Sequence, residues 1–198
     1  MMNSGCGLVV TLLLVVCLDV LGALSSANDR TTVDIGNVRL PGLSTRFNKF
    51  AEYCLHSQQI IARDLSRVDG RSKVLLHPWE RFQDIDRREH LEGYGVTGVI
   101  EDGDVVEKGA VSVTVVRGQL TAERAASIRA RQHRSSNSSS DEGSANSTAQ
   151  IGRTYCAAAL SIVLHSRSPF VPTFRADVRY FEVEGEEGWF GGELLSAL

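Results

Sequence analysis

Hydrophobic residues recur at helical spacing in one stretch of the sequence. These apolar positions are Phe47, Phe50, Cys54, Ile61, Leu65 and Val68. Most steps between them are three or four residues, with one polar gap at Gln58, and this pattern predicts an amphipathic helix. Ser44 or Thr45 is the expected N-cap, and Gly70 is the expected C-terminal stop.

Further along the chain, the pattern changes to that of β-strands. Apolar and often Val-rich runs predict strands over residues 96–101, 105–107, 111–116, 160–165, 176–184 and 188–190. Asp102-Gly103 marks a tight turn after the first run, and residues 121–131 are predicted to be helical. Two helices and at least five strands joined by short turns predict an α+β fold, with a broad, largely antiparallel sheet flanked by helices.

Two segments differ from this globular pattern. Residues 7–24 are almost entirely apolar, so we expect residues 1–27 to be a secretory-type signal leader, followed by a linker over 28–42 and a domain over 43–198. Such a leader could route the chain to an organelle such as a plastid; alternatively, residues 7–24 are retained as a membrane anchor. Residues 132–150 are rich in Ser, Asn and Gly and are expected to form a disordered loop.

Composition and charge exclude several classes of protein. The 198 residues are 42% hydrophobic and 23% charged, which suits one domain with a buried core. The net charge of −3 argues against a nucleic-acid partner. Of the four cysteines, Cys6 and Cys17 fall in the leader and Cys54 and Cys156 remain. No CxxC pair is present, so neither a disulfide framework nor a zinc site is expected.

Three polar residues near the C-terminus are candidates for chemistry. Asp177 and Arg179 alternate with apolar residues on a predicted strand, so their side chains share one face of the sheet. That pair could bind a substrate bearing N–H donors and carboxylates, and it could equally be a same-face ion pair on a solvated sheet. His165, at a predicted strand end, is a weak candidate for a proton carrier or metal ligand. No second histidine lies at ligand spacing, so no metal site is expected.

Three stretches together form a long, spaced pattern: Trp79-Glu80-Arg81, residues 93–120 and residues 161–192. The last stretch matches, at nearly every spacing, S-x-V-x-H-P-x-N-P-x-x-P-T-x-H-x-N-x-R-Y-F followed by W-W-F-G-G-G. In these motifs the chain resembles the oxygen-dependent coproporphyrinogen III oxidase family. The resemblance covers roughly the N-terminal half of a family member.

The resemblance implies a fold with a broad antiparallel sheet between helices, and a homodimer. It implies oxidative decarboxylation of two propionates of coproporphyrinogen III to vinyl groups, giving protoporphyrinogen IX in porphyrin and heme biosynthesis. Oxygen is then the co-substrate, and no cofactor is required. By position, Ser161, Asp177 and Arg179 correspond to substrate-binding residues, and His165 corresponds to a histidine described as a metal ligand in bacterial members.

The chain also departs from the family pattern. Arg175 stands where the family has its presumed proton-donor histidine, and an arginine cannot exchange a proton near neutral pH. Asp177 replaces an asparagine. Where the family continues G-x-D-L-T-P, this sequence reads Glu193-Leu194-Leu195 and stops at Leu198, so Glu193 matches that aspartate only if two residues are deleted. We therefore expect a truncated, divergent copy that is either an oxidase or an inactive remnant or porphyrin-binding pseudoenzyme.

Overall fold

The structure is a computed structural model, and it describes residues 42–81, 91–126 and 151–197. The predicted leader, the linker up to residue 41 and the predicted loop at 132–150 lie outside these ranges. Within them, no helix is both long enough and apolar enough to cross a membrane.

The predicted amphipathic helix is present as α1, Thr45–Asp69. Ser44 is its N-cap, because the Ser44 hydroxyl accepts a hydrogen bond from the Phe47 backbone N–H at 3.1 Å. Gly70 ends the helix in the left-handed conformation, with φ of 75°, and its N–H donates to the Ser66 carbonyl. Both helix boundaries therefore agree with the sequence prediction.

Six antiparallel strands form one sheet in chain order. Their bounds are β1 Leu75–Arg81, β2 Leu91–Glu101, β3 Val106–Gln119, β4 Thr154–Ser166, β5 Thr173–Val183 and β6 Trp189–Ala197. With α1 packed against this sheet, the α+β prediction is confirmed.

Two details of the strand prediction were wrong. The runs at 105–107 and 111–116 belong to the single strand β3, since Lys108, Gly109 and Ala110 pair with β4 and continue the ladder. Strand β1 was not predicted, because Pro78 and the charged residues after it obscure the alternation of an edge strand. Of the predicted helix at 121–131, residues 122–126 are helical, Thr121 precedes the helix, and residues 127–131 lie outside the described residues.

Helix α1 packs its apolar side on one face of the sheet. The shared core includes Phe47, Cys54 and Leu65 from the helix, with Val113 and Tyr180 from the strands. Successive side chains of a strand point to opposite faces, so these contacts define which residues face α1. We call the other side of the sheet the opposite face.

The polar gap in the helix pattern has a structural role. Gln58 is buried at 1% exposure, and its amide donates to the Val96 carbonyl at 2.7 Å and to the Val111 carbonyl at 2.6 Å. A buried polar group costs free energy unless it is hydrogen-bonded. Gln58 thus fixes α1 against strands β2 and β3, and both N–H groups of its amide are hydrogen-bonded.

A buried carboxylate organises the turn between β2 and β3. Asp69 accepts hydrogen bonds from the backbone N–H groups of Ser72, Asp104, Val105 and Val106 at 2.8–3.2 Å. Burial alone would raise the pKa of Asp69, but the four donors together outweigh it and lower the pKa to about 2. The end of α1 is therefore tied electrostatically to the hairpin.

Candidate functional site

The five residues singled out from the sequence lie on one face of two adjacent strands. Ser161 and His165 belong to β4, and Arg175, Asp177 and Arg179 belong to β5. They alternate with residues that pack toward α1, including Leu160, Ile162 and Tyr180. Strand alternation therefore places all five on the opposite face.

Asp177 and Arg179 form a direct ion pair. The Arg179 Nε donates to Asp177 Oδ2 at 2.9 Å, and the Arg179 Nη2 donates to the same oxygen. The Asp177 side chain is only 6% exposed, whereas the Arg179 side chain is 40% exposed. The guanidinium thus holds a buried carboxylate with two of its donors and keeps its other N–H groups on the exposed side.

Two residues flank Asp177 in the register of the sheet. Ser161 of β4 is paired with Asp177 on one side, and Glu193 of β6 is paired with it on the other. Glu193 therefore lies next to Asp177 through the pairing of β5 with β6. Glu193 is exposed and Asp177 is buried. The site therefore contains one exposed carboxylate, one buried carboxylate and the Arg179 guanidinium.

Arg175 and His165 lie toward the other end of this face. Arg175 is four residues from Arg179 along β5, which puts their Cα atoms about 13 Å apart. Arg175 is exposed and pairs with Val163 and Leu195 in the register. His165 Nδ1 lies 3.2 Å from the Thr173 hydroxyl. The part of the chain that the structure describes holds no cluster of three side chains able to bind a metal ion.

Sequence reasoning missed a row of polar residues that includes two of the site residues. Its members are cross-strand partners on all six strands of the sheet: His77, Thr97, Ser112, Ser161, Asp177 and Glu193. We call this set the polar row. Each of the six comes from a different strand, so only the pairing register brings them together.

An apolar groove lies on the helix side of the same strands. It has a volume of about 620 Å³ and runs between α1 and strands β5 and β6. Phe50 and Tyr53 of α1 form one wall, and Phe190 and Leu194 of β6 form the other. Phe190 and Leu194 are 60% and 66% exposed. Asp177, Arg179 and Glu193 also belong to the groove lining, whereas strand alternation places the Ser161 side chain on the opposite face.

Comparison with known proteins identifies the family of this chain. A family profile for Coproporphyrinogen III oxidase matches residues 49–195, which include most of α1 and most of the sheet. The mitochondrial oxygen-dependent coproporphyrinogen-III oxidases of Mus musculus and Homo sapiens are each 34% identical over 142 residues, which is 70% of this chain and 28% and 27% of those proteins. The oxygen-dependent enzyme of Francisella tularensis is 28% identical over 155 residues, 76% of this chain and 44% of the relative.

The chain therefore spans less than half the length of these curated relatives. The match nevertheless covers the whole set of site residues, from Ser161 to Arg179, and extends through Glu193. Because the family profile accounts for most of the sequence, the chain belongs to the coproporphyrinogen III oxidase family.

Proposed function

We propose that this chain binds coproporphyrinogen III, the substrate named for its relatives, on the opposite face of β4 and β5. The observation that carries the proposal is the grouping of Ser161, Asp177 and Arg179 on that face. Arg179 can bind a propionate through the N–H groups that Asp177 does not use. The Asp177 and Glu193 carboxylates can accept hydrogen bonds from pyrrole N–H groups.

The reaction that we propose at this site is the oxygen-dependent oxidative decarboxylation of propionates. Each reacting propionate loses its carboxylate as CO2 and a proton from the carbon attached to the pyrrole, and becomes a vinyl group. The two electrons released reduce O2, which takes up two protons to give H2O2. Oxygen is the electron acceptor, and we propose that no organic or metal cofactor takes part. The residues of this chain supply the binding of the carboxylates and the orientation of the pyrroles.

A second candidate is binding of the porphyrinogen without turnover. One observation favours it: Arg175 lies on the site face where the family pattern has a histidine, and an arginine remains protonated at any ordinary pH. A permanently charged side chain can bind a propionate, but it cannot donate and recover a proton during a reaction cycle.

Two measurements on the full chain test the proposal and separate the two candidates. Titration of coproporphyrin III fluorescence measures binding, and aerobic incubation with coproporphyrinogen III, followed by oxidation and detection of protoporphyrin, measures turnover. Saturable binding with product formation supports the oxidase. Saturable binding without product supports the binding protein, and absence of saturable binding contradicts both.

We also propose that the chain forms a homodimer, as the resemblance to the family implies. The exposed Phe190 and Leu194 side chains beside the apolar groove support self-association, because a contiguous apolar surface is commonly buried in an interface. Analytical ultracentrifugation of the full chain should give twice the monomer mass. A mass equal to that of the 21.6 kDa monomer at micromolar concentration would refute the dimer.

A further inference from the structure

Beyond Ser161 and Asp177, the polar row continues across β3 and β2. Ser112 is the cross-strand partner of Ser161, and Thr97 is the partner of Ser112. Neighbouring strands lie about 4.8 Å apart, so Ser112 is about 10 Å and Thr97 about 14 Å from Asp177. The row therefore extends the candidate site over a distance comparable with the width of a large ligand.

The hydroxyls of this row are available for a ligand. Thr97, Ser112 and Ser161 are each half-buried. Within residues 42–81, 91–126 and 151–197, none of these three hydroxyls has a hydrogen-bond partner, whereas other half-buried hydroxyls, such as those of Ser44 and Ser66, are bonded. A half-buried hydroxyl retains its donor and acceptor capacity for water or for a ligand.

The rows on either side of the polar row have a different character. On one side, Leu75, Val99, Ala110 and Val163 are paired across β1 to β4. On the other side, Trp79, Gly95, Thr114 and Ala159 are paired across the same strands. Across β1 to β4 the polar row is thus bordered by mainly apolar or small residues, and on β5 the flanking rows continue into Arg175 and Arg179. This arrangement suits a broad ligand with apolar ring surfaces and polar groups at its edge.

We propose that Ser112 and Thr97 are substrate-binding residues, which donate hydrogen bonds to the carboxylates of coproporphyrinogen III that lie farthest from Arg179. This inference rests on the proposed function. Coproporphyrinogen III carries a propionate on every ring, so a molecule with one edge at Arg179 extends others toward β3 and β2. The positive charge of Arg179 determines which edge of the ligand lies at β5, and the uncharged Ser112 and Thr97 hydroxyls bind the opposite edge of the ligand.

The test compares two porphyrins on the full chain. Coproporphyrin III has propionates on all sides, whereas protoporphyrin IX has them along one edge only. The variants are Ser112→Ala, Thr97→Val and the two substitutions combined. Thr45→Val is the matched control, because Thr45 is exposed at the start of α1 on the other side of the sheet. Thermal unfolding confirms that each variant is folded.

We expect each single variant to bind coproporphyrin III roughly tenfold more weakly, the loss that corresponds to one hydrogen bond to a charged acceptor, and the combined variant to bind it more weakly than either. Protoporphyrin IX affinity should stay within twofold of wild type, as should both affinities of Thr45→Val. Wild-type coproporphyrin III affinity in the combined variant overturns this inference and leaves the proposed function standing. An equal loss for both porphyrins also overturns the assignment to the far carboxylates. Absence of binding to the wild-type chain overturns the proposed function and this inference with it.

Discussion

Replacing Asp177 with asparagine should strengthen the binding of anionic porphyrins. In the wild-type chain the Arg179 guanidinium is held by the buried Asp177 carboxylate, with the Nε–Oδ2 distance at 2.9 Å. An incoming propionate must share Arg179 with that carboxylate and approach its negative charge. Asparagine keeps a carbonyl oxygen that can accept hydrogen bonds from Arg179 and from a pyrrole N–H group, but it removes the charge.

The expected magnitude follows from the geometry of the pair. Two unit charges about 6 Å apart repel by roughly 3 kcal/mol at an effective dielectric of about 20. Arg179 is 40% exposed, so solvent and salt screen part of that repulsion, and about 1.5 kcal/mol is a reasonable net value. This free energy corresponds to about a tenfold decrease in Kd.

The assay is titration of coproporphyrin III fluorescence against wild type, Asp177→Asn, Arg179→Gln and the double variant. Arg179→Gln should weaken binding about tenfold or more and should also lower stability, because it leaves Asp177 buried without its partner. The double variant removes that uncompensated charge and separates lost binding from lost folding. Unchanged or weaker binding by a fully folded Asp177→Asn would refute the reasoning.

Three further predictions concern the turn, the helix and the proton donor. Asp69→Ala should destabilise the chain by about 3 kcal/mol, because four backbone N–H groups lose their acceptor. The pKa of Asp69 is lowered to about 2 from 3.8. The difference in unfolding free energy between wild type and Asp69→Ala should therefore be largest above pH 4 and should shrink as the pH falls from 4 to 2. A difference independent of pH contradicts the account. Gln58→Leu should lower the free energy of unfolding, measured by urea denaturation, by about 2 kcal/mol, because two buried carbonyls lose their donor. A variant as stable as wild type would contradict this. Arg175→His restores a group that titrates near neutrality, so the rate of aerobic protoporphyrin formation should rise at least tenfold over wild type. Porphyrin affinity should stay within a few-fold of wild type. No rise in the rate would show that Arg175 is not the residue that limits turnover.

The local features of the fold could be predicted from the sequence because they depend on neighbouring residues. Helix α1 and its two ends follow from apolar spacing, a serine cap and a glycine stop. The shared face of Asp177 and Arg179 follows from their spacing within one strand, and the structure shows them in contact.

Register between strands could not be predicted in the same way. A two-residue turn at Asp102-Gly103 would pair Glu101 with Asp104, but Glu101 pairs with Lys108. This shift by an even number of residues leaves each side chain on the same face of the sheet. It changes which residues of the neighbouring strand lie opposite it. The neighbours of Ser112 and Ser161 were therefore hidden until the full ladder was known.

Long-range side-chain contacts were hidden for a related reason. Gln58 interrupts an apolar pattern in the sequence, and Asp69 carries no distinctive sequence signal. Apart from Ser72, their partners lie 35 to 53 residues away along the chain. Only the packed structure shows that both residues are buried and hydrogen-bonded to backbone groups. Glu193 likewise lies beside Asp177 through strand pairing, which the sequence pattern did not show.

The central claim is that the opposite face of β4 and β5 binds a carboxylated tetrapyrrole through Arg179. The most direct test is the dissociation constant of coproporphyrin III for the full chain as wild type, as the folded variant Asp177→Asn and as the folded double variant Asp177→Asn/Arg179→Gln, measured by fluorescence titration at low salt. The account predicts saturable binding by wild type and at least tenfold weaker binding by the double variant than by Asp177→Asn, since these two variants differ only in Arg179. Equal affinities of these two variants, or no saturable binding by the wild-type chain, would contradict it.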